Sequence, residues 1–129
     1  MPFVHISIAG ASLSASEIAT LQSEATRLMA EVMDKRAGLT AVLVEFHEPR
    51  LWSIGGQSVT AAAHLDVKVT AGTNDMEQKA SFIRQAHDLL ASTVGAGLPV
   101  ATYVVVDEVE ADAWGYGGLS QAARRKGLA

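Results

Sequence analysis

The feature of this sequence that most limits its possible folds is an internal repeat. A gap-free shift of 62 positions pairs Trp52-x-x-Gly55-Gly56 with Trp114-x-x-Gly117-Gly118. The same shift pairs three alternating β-branched residues in each half, namely Thr40, Val42 and Val44 with Thr102, Val104 and Val106. Self-similarity at a fixed period indicates a fold built from similar units. We therefore predict one domain over residues 1–129, made of two pseudo-repeats at 2–60 and 64–122.

Each half has the pattern of a strand, a helix, a second strand and a short glycine-rich hairpin. In the first half, residues 3–9 and 40–46 are rich in the β-branched and aromatic types that favour strands. Between them, Ser14 and Glu17 form a predicted capping box at the start of a helix. Apolar residues then recur at helical spacing, and Gly38 is expected just past the helix end.

The second half repeats this order, with predicted strands at 65–70 and 101–106. Its helix is expected to begin at a capping box formed by Asn74 and Glu77. The predicted core-facing stripe of this helix is Ala80, Ile83, His87, Leu90 and Val94. Residues 57–63 join the two halves.

Two strand–helix–strand units predict an α/β fold, which some classifications call α+β. Parallel strands joined through a helix form a right-handed crossover. Two such units would make one four-stranded sheet with both helices on a single face. We expect the other face to be bare and apolar, so that further copies of the chain would cover it. The share of charged residues, 19% against an average of about 25%, also favours an oligomer.

The composition excludes several kinds of function. The chain has no cysteine, which rules out disulfide scaffolds, thiol nucleophiles and thiolate metal sites. A net charge of −4 argues against a nucleic-acid partner, because phosphate binding requires a basic face. No apolar run approaches the roughly 18 residues of a membrane span, and the N-terminus lacks a signal-peptide pattern. We therefore expect a cytoplasmic protein with no membrane partner. The four histidines are scattered and no phosphate-binding motif is present, so we expect no metal and no cofactor.

Three sequence features together resemble the tautomerase superfamily. They are Pro2 directly after the initiator Met, a β-α-β unit of about 60 residues, and the two Trp-x-x-Gly-Gly hairpins. The 4-oxalocrotonate tautomerase type is the most similar in repeat length. The tandem arrangement is similar to fused or trimeric members such as malonate semialdehyde decarboxylase and cis-3-chloroacrylic acid dehalogenase. Phe46-His47-Glu48-Pro49 resembles the end of the second strand in those members.

The resemblance implies a tautomerase/MIF-like fold, a homotrimer and isomerase activity. The implied reaction is keto–enol tautomerisation of small 2-keto acid enols, or hydration or decarboxylation of related unsaturated or β-keto acids. It also implies a catalytic role for Pro2. Once Met1 is removed, Pro2 would carry a secondary amine, and a free α-amine has a pKa of about 7.7 to 8.0. Such a group would act as a general base or acid near neutral pH. The alternative is that Pro2 only begins an edge strand, where proline is tolerated.

The arginines with which this family binds carboxylates are replaced here. Ala11 follows the glycine that ends the first strand, and Thr73 stands at the repeat position. The second arginine position, within the second strand, is occupied by Leu43 and by Val105 in the repeat. A second interpretation therefore stays open, in which the chain is a non-catalytic ligand-binding protein with a tautomerase fold.

Two other cations are candidates for substrate binding. We expect Lys68 on the same strand face as Pro2, Val4 and Ile6, where it would orient an anion. Its commoner role would be an ion pair with Asp66. Arg50 follows the second strand and would reach a pocket mouth, unless it is solvated in a turn. The cluster Arg124–Lys126 is interpreted as an ordinary soluble tail.

Aromatic residues and one histidine complete the predicted site. Trp52, Trp114 and Tyr116 lie beside glycine pairs, where a hairpin would project them into a site. Tyr116 and Tyr103 would donate hydrogen bonds to an enolate oxygen. All these rings are equally consistent with interface anchors. His47 would assist as acid or base, or simply form a hydrogen bond in a turn.

Overall fold

Two strand–helix–strand units follow one another through residues 2–127, the part of the chain that the structure, a computed structural model, describes. The elements in chain order are β1 (Phe3–Ala9), α1 (Ala15–Glu31), β2 (Ala41–His47), β3 (Ser53–Ile54), β4 (Gln57–Ser58), β5 (Ala62–Thr70), α2 (Met76–Val94), β6 (Tyr103–Val109), β7 (Gly115–Tyr116), β8 (Leu119–Ser120) and α3 (Gln121–Arg125). The main sheet has the order β2-β1-β5-β6. Within each unit the strands are parallel, and β1 pairs with β5 antiparallel. The predicted fold class, a four-stranded sheet with two main helices, is confirmed.

Capping residues determine where the two long helices begin. At α1 the predicted capping box forms, because Ser14 Oγ accepts from the Glu17 backbone N–H at 3.1 Å and the Glu17 carboxylate accepts from Ser14 N–H at 2.9 Å. At α2 the box lies one residue later than predicted and uses Asp75 and Gln78. Asn74 does not cap the helix, since its side-chain amide donates to the Met33 carbonyl oxygen at 2.9 Å.

The core lies between the sheet and the two long helices. Val4, Ile6 and Ile8 of β1 and the odd-numbered residues of β5 from 63 to 69 are fully or almost fully buried there. The stripe predicted for α2 is partly wrong. Phe82, Ala86 and Leu90 are the buried residues, whereas Ile83 is 42% exposed. Spacings of four residues therefore define the buried face of α2.

Several element boundaries differ from the predictions. Gly38 lies in a 3₁₀ turn, Ala37–Leu39, well past the end of α1. The strand β5 begins at Ala62 rather than 65, and β6 covers 103–109 rather than 101–106. The extension of β6 places Asp107 opposite Lys68 in the sheet, at an ion-pair distance of 3.3 Å.

The first strands of the two units correspond under a shift of 61 residues, one less than the shift of 62 that relates their second strands. Val42 and Val104 correspond under the shift of 62, but Val42 pairs with Val4 whereas Val104 pairs with Leu65. Val4 therefore corresponds to Leu65, which is a shift of 61. Successive side chains of a strand point to opposite faces, so a one-residue offset exchanges the faces. The prediction that Lys68 shares a face with Val4 and Ile6 is wrong. Lys68 pairs with Phe3 and lies on the face opposite the helices.

The helix-free face of the sheet is not the apolar surface predicted from the repeat. Among the described residues, its exposed large apolar side chains are Phe3, Leu43, Tyr103 and Val105. Between them lies a charged and polar centre, which contains His5, Glu45, His47, His64, Asp66, Lys68 and Asp107. His5 Nε2 is 3.1 Å from Glu45 Oε1, and His64 Nε2 is 3.3 Å from Asp66 Oδ2. His5 and Glu45 lie on different strands and meet only once the sheet is assembled, whereas His64 and Asp66 are two residues apart on the same face of β5.

Candidate functional site

A cleft of about 500 Å³ lies at the end of the sheet where β1 begins. Pro2 is buried and forms part of the cleft wall. The other predicted site residues in its lining are Lys68, Trp114 and Tyr116. Phe3, Leu39 and Ala41 make most of the remaining wall apolar. We call this the Pro2 cleft. It brings together four of the eight residues predicted from the sequence.

The hairpin β7–β8 closes one side of the Pro2 cleft, and specific contacts fix its position. The indole N–H of Trp114 donates to Thr70 Oγ1 at 3.1 Å, which ties the hairpin to the end of β5. The backbone N–H of Gln121 donates to the Trp114 carbonyl oxygen at 2.9 Å. Gly115 has no side chain to separate the two hairpin strands, and a Cβ there would lie 1.9 Å from the Leu119 carbonyl oxygen. The cleft wall therefore depends on a glycine at position 115.

Arg124 holds Tyr116, a residue of the cleft wall, in position, and the sequence did not lead us to expect this role. Its guanidinium group lies 3.8 Å from the centroid of the Tyr116 ring, a cation–π distance. Its Nη2 also donates to the Tyr116 carbonyl oxygen at 2.9 Å. Interpreting residues 124–126 as a free tail was wrong for Arg124. The sequence did contain a signal that a helix begins before Arg124. Ser120 is the N-cap of α3, and its hydroxyl accepts from the Ala123 N–H at 3.0 Å.

Lys68 supplies the cation in the lining of the Pro2 cleft, but it is paired. Its Nζ lies 3.3 Å from Asp107 Oδ2 and 3.9 Å from Asp66 Oδ1. The predicted ion pair with Asp66 is present, and the contact with Asp107 is shorter. The Lys68 side chain remains 47% exposed, so its ammonium group keeps access to solvent at the cleft.

A second cleft of about 320 Å³ lies toward the other end of β1. Trp52 and Tyr103, two more of the predicted site residues, line this Trp52 cleft. Its wall also includes His64, whose strand partner in β1 is Ser7. His47 contacts Trp52 edge-on, with ring centroids 6.4 Å apart. The structure thus divides the predicted aromatic residues between two clefts.

Arg50 belongs to neither lining. It lies in the 3₁₀ turn Pro49–Leu51, its side chain is 76% exposed, and it forms an ion pair with Glu48. This geometry corresponds to the solvated turn that was its alternative interpretation. The state of Met1, on which the chemistry of Pro2 depends, lies outside the described residues.

Two further findings concern residues 2–127 as a whole. Within that range, there is no group of three or more histidine and carboxylate side chains that could hold a metal ion. No helix within that range combines the length and apolar character that crossing a membrane requires.

Comparison of the sequence with known proteins identifies one family. The model of the family described as "Tautomerase enzyme" matches residues 64–124. A probable tautomerase, K2, of Dickeya dadantii (strain 3937) is 39% identical over 62 residues, which are 48% of this chain and 91% of that protein.

Solved structures share the fold over nearly the whole chain. Pt0534 inactivated by 2-oxo-3-pentynoate is similar with a TM-score of 0.82 and 20% identity, covering 95% of this chain and 98% of that one. A fused 4-OT described as a symmetric trimer has a TM-score of 0.81 at 16% identity, with the same coverage of both chains. At these identities the similarity establishes the fold. The 62-residue match to K2 corresponds in length to one β-α-β unit of this chain.

Proposed function

Because this chain belongs to the tautomerase family, we propose that it catalyses keto–enol tautomerisation of small 2-keto acids with Pro2 as the acid–base group. The observation that carries the proposal is the position of Pro2, buried in the wall of an apolar cleft of about 500 Å³. An apolar environment favours the neutral form of an amine, which is the form that accepts a proton. The proposal requires removal of Met1, so that the nitrogen of Pro2 is an amine rather than an amide.

In the proposed reaction the Pro2 nitrogen takes the proton of the enol hydroxyl. The electron pair of the broken O–H bond forms the carbonyl, and the C=C electron pair then takes the proton from Pro2. Charge on the oxygen in the transition state would need a donor nearby. Lys68 is the cation available in the lining, and Trp114 and Tyr116 would exclude water. The inactivation of Pt0534 by 2-oxo-3-pentynoate, itself a 2-keto acid, supports this substrate class.

We also propose that the working molecule is a homotrimer of chains that each contain two pseudo-repeats, 2–60 and 64–122. The exposed apolar residues of the helix-free face, Phe3, Leu43, Tyr103 and Val105, support contact with further copies. The fused 4-OT neighbour is described as a symmetric trimer. Light scattering should give about three times the chain mass of 13.5 kDa. A monomer at micromolar concentration would refute the trimer.

Ketonisation of phenylenolpyruvate, with Pro2→Ala as the variant, tests the catalytic proposal. General acid–base catalysis contributes roughly 10²- to 10⁴-fold, so the variant should lose at least about tenfold in kcat/KM. Intact-mass measurement on the same preparations shows whether Met1 is removed. Incubation with 2-oxo-3-pentynoate followed by peptide mapping should place one adduct on the peptide that begins at Pro2.

The matched control is a chain with one extra residue in front of Pro2, which keeps the ring and removes the amine. It should lose activity as Pro2→Ala does. If both variants keep the wild-type kcat/KM, Pro2 is not the catalytic group. The non-catalytic ligand-binding interpretation takes its place if the wild-type chain, with Met1 removed, does not accelerate ketonisation above the uncatalysed rate.

A further inference from the structure

The Trp52 cleft lies beside the first hairpin, just as the Pro2 cleft lies beside the second. We propose that it is a second small-molecule site, which lacks the acid–base amine and takes a planar, uncharged hydroxyaromatic compound. The proposal does not depend on catalysis at Pro2. It rests on the correspondence of the two clefts and on the side chains by which they differ.

The correspondence follows from the repeat. Under the shift of 62, Trp52 corresponds to Trp114, and Tyr103 stands where Ala41 lines the Pro2 cleft. In the first strands the shift is 61, so Ala63 corresponds to Pro2 and His64 to Phe3. All eight of these residues are wall residues of one cleft or the other. The fold therefore forms the same kind of recess twice.

The chemistry of the two recesses differs. Ala63 is an internal, 2% exposed residue, so no amine exists at the position that corresponds to Pro2. No lysine or arginine is among the described residues that line the Trp52 cleft, whereas Lys68 lines the Pro2 cleft. His64 Nε2 instead lies 3.3 Å from the carboxylate of Asp66. A carboxylate ligand would meet a nearby negative charge here and no fixed cation, so an uncharged ligand is favoured.

The remaining wall residues specify the shape of the ligand. The rings of Trp52 and Tyr103 offer flat apolar surfaces on which an aromatic ring can stack, and such pairs contribute beyond their buried area. A neutral imidazole has one donor and one acceptor nitrogen. The proposal takes His64 as a neutral imidazole with its proton on Nε2, 3.3 Å from Asp66, so that Nδ1 is the acceptor for a hydroxyl group. A phenol meets both requirements.

The experiment uses the two tryptophans of the chain, one in each cleft, as separate reporters. Uniformly ¹⁵N-labelled protein gives one indole N–H resonance per tryptophan, and the variants Trp52→Phe and Trp114→Phe assign the two signals. The probes are p-cresol, a neutral phenol, and benzoate, a planar anion. We expect p-cresol to shift the Trp52 resonance saturably and benzoate to shift the Trp114 resonance.

Two variants test which wall residues hold the phenol. A neutral hydrogen bond contributes about 0.5 to 1.5 kcal/mol, so His64→Leu should weaken p-cresol binding roughly two- to tenfold. Tyr103→Ala should also weaken it. Tyr103 is 67% exposed within one chain, so this variant should fold, and light scattering checks that it keeps the wild-type assembly. The matched control is Lys68→Met in the other cleft, which should reduce the benzoate response at Trp114 far more than the p-cresol response at Trp52, because Lys68 reaches His64 only through Asp66.

The proposal is overturned if p-cresol leaves the Trp52 resonance unmoved, or moves it equally in wild type, His64→Leu and Tyr103→Ala. It is also overturned if benzoate binds at Trp52 as well as p-cresol does. Failure of the tautomerase proposal would appear elsewhere, in the Pro2→Ala kinetics, because neither probe reacts at Pro2.

Discussion

Replacing Gly115 by alanine should damage the Pro2 cleft much more than it damages the fold. The added Cβ would lie 1.9 Å from the Leu119 carbonyl oxygen and 2.7 Å from the Ser120 Cα. Real Cβ atoms essentially never come within 3.0 Å of a heavy atom outside their own and the adjacent residues, so the hairpin strands must separate by about 1 Å. Trp114 and Tyr116 flank this glycine, so the movement passes directly to the cleft wall.

The magnitude follows from where the hairpin lies. A misplacement of about 1 Å in a site can lower the rate about 10²-fold, so we expect kcat/KM for phenylenolpyruvate to fall between about tenfold and 10²-fold. Overpacking typically costs about 1–3 kcal/mol. No residue of β7 or β8 belongs to the buried core cluster, so we expect the cost to lie near about 1 kcal/mol and Tm to fall by roughly 2–8 °C.

Two control variants separate the clash from other effects. Ser53→Ala changes the corresponding residue of the first hairpin, which already carries a Cβ, and should leave kcat/KM unchanged. Gly118→Ala adds a methyl group at φ +83° but into open space, so it tests backbone strain without the clash. It should reduce kcat/KM less than Gly115→Ala does. A Gly115→Ala enzyme with wild-type kcat/KM and an unmoved Trp114 indole resonance would refute the idea that this hairpin forms the wall.

Three further predictions concern the stability of the fold. Phe82→Ala should lower the free energy of unfolding by about 3–5 kcal/mol, whereas Ile83→Ala, at a 42% exposed position, should change it far less. Denaturant melts measure both, and equal losses would mean that the buried face of α2 lies elsewhere. Asp75→Ala removes the N-cap of α2 and should cost about 0.5–2 kcal/mol in the same assay, with no loss meaning that another group caps the helix. A hydrogen bond from Lys79 at 2.9 Å holds the pKa of Glu108 below its ordinary value of 4.5. This pair therefore stabilises the fold above that pH, and its contribution disappears as the pH falls through the lower pKa of the folded state. The Tm deficit of Lys79→Met should therefore shrink in acid, and a deficit that is independent of pH would contradict the pairing.

The features that the sequence predicted correctly depend on short-range patterns. The capping box at Ser14 needs only a hydroxyl and a carboxylate three residues apart. Likewise, the Trp-x-x-Gly-Gly segments predict hairpins because glycine readily adopts positive φ, and Gly55 and Gly117 have φ of +61° and +60°. The parallel pairing within each unit follows from the helical crossover that connects its two strands.

Two errors had different physical origins. The offset in β5 was present in the sequence, since Leu65 and Val67 alternate with Asp66 and Lys68, which marks the odd positions as core. The offset was missed because we applied the shift of 62 residues along the whole repeat. The ion pairs between strands in the polar centre of the helix-free face had no local signal. His5 meets Glu45 and Asp66 only through strand register, and register across the sheet cannot be determined from spacing along the chain.

The division of the predicted site into two clefts follows from the repeat, and the strand register decides which side chains line each cleft. A repeat alone predicts two equivalent recesses, each with an aromatic wall from its own hairpin. Under the proposed mechanism only one of them can be catalytic, because a chain has a single N-terminal amine and the corresponding residue, Ala63, is internal. The one-residue offset then places a histidine, His64, where the Pro2 cleft has Phe3. Two recesses of one architecture thus differ in amine, cation and hydrogen-bonding group, and these three differences decide which ligand each recess can hold.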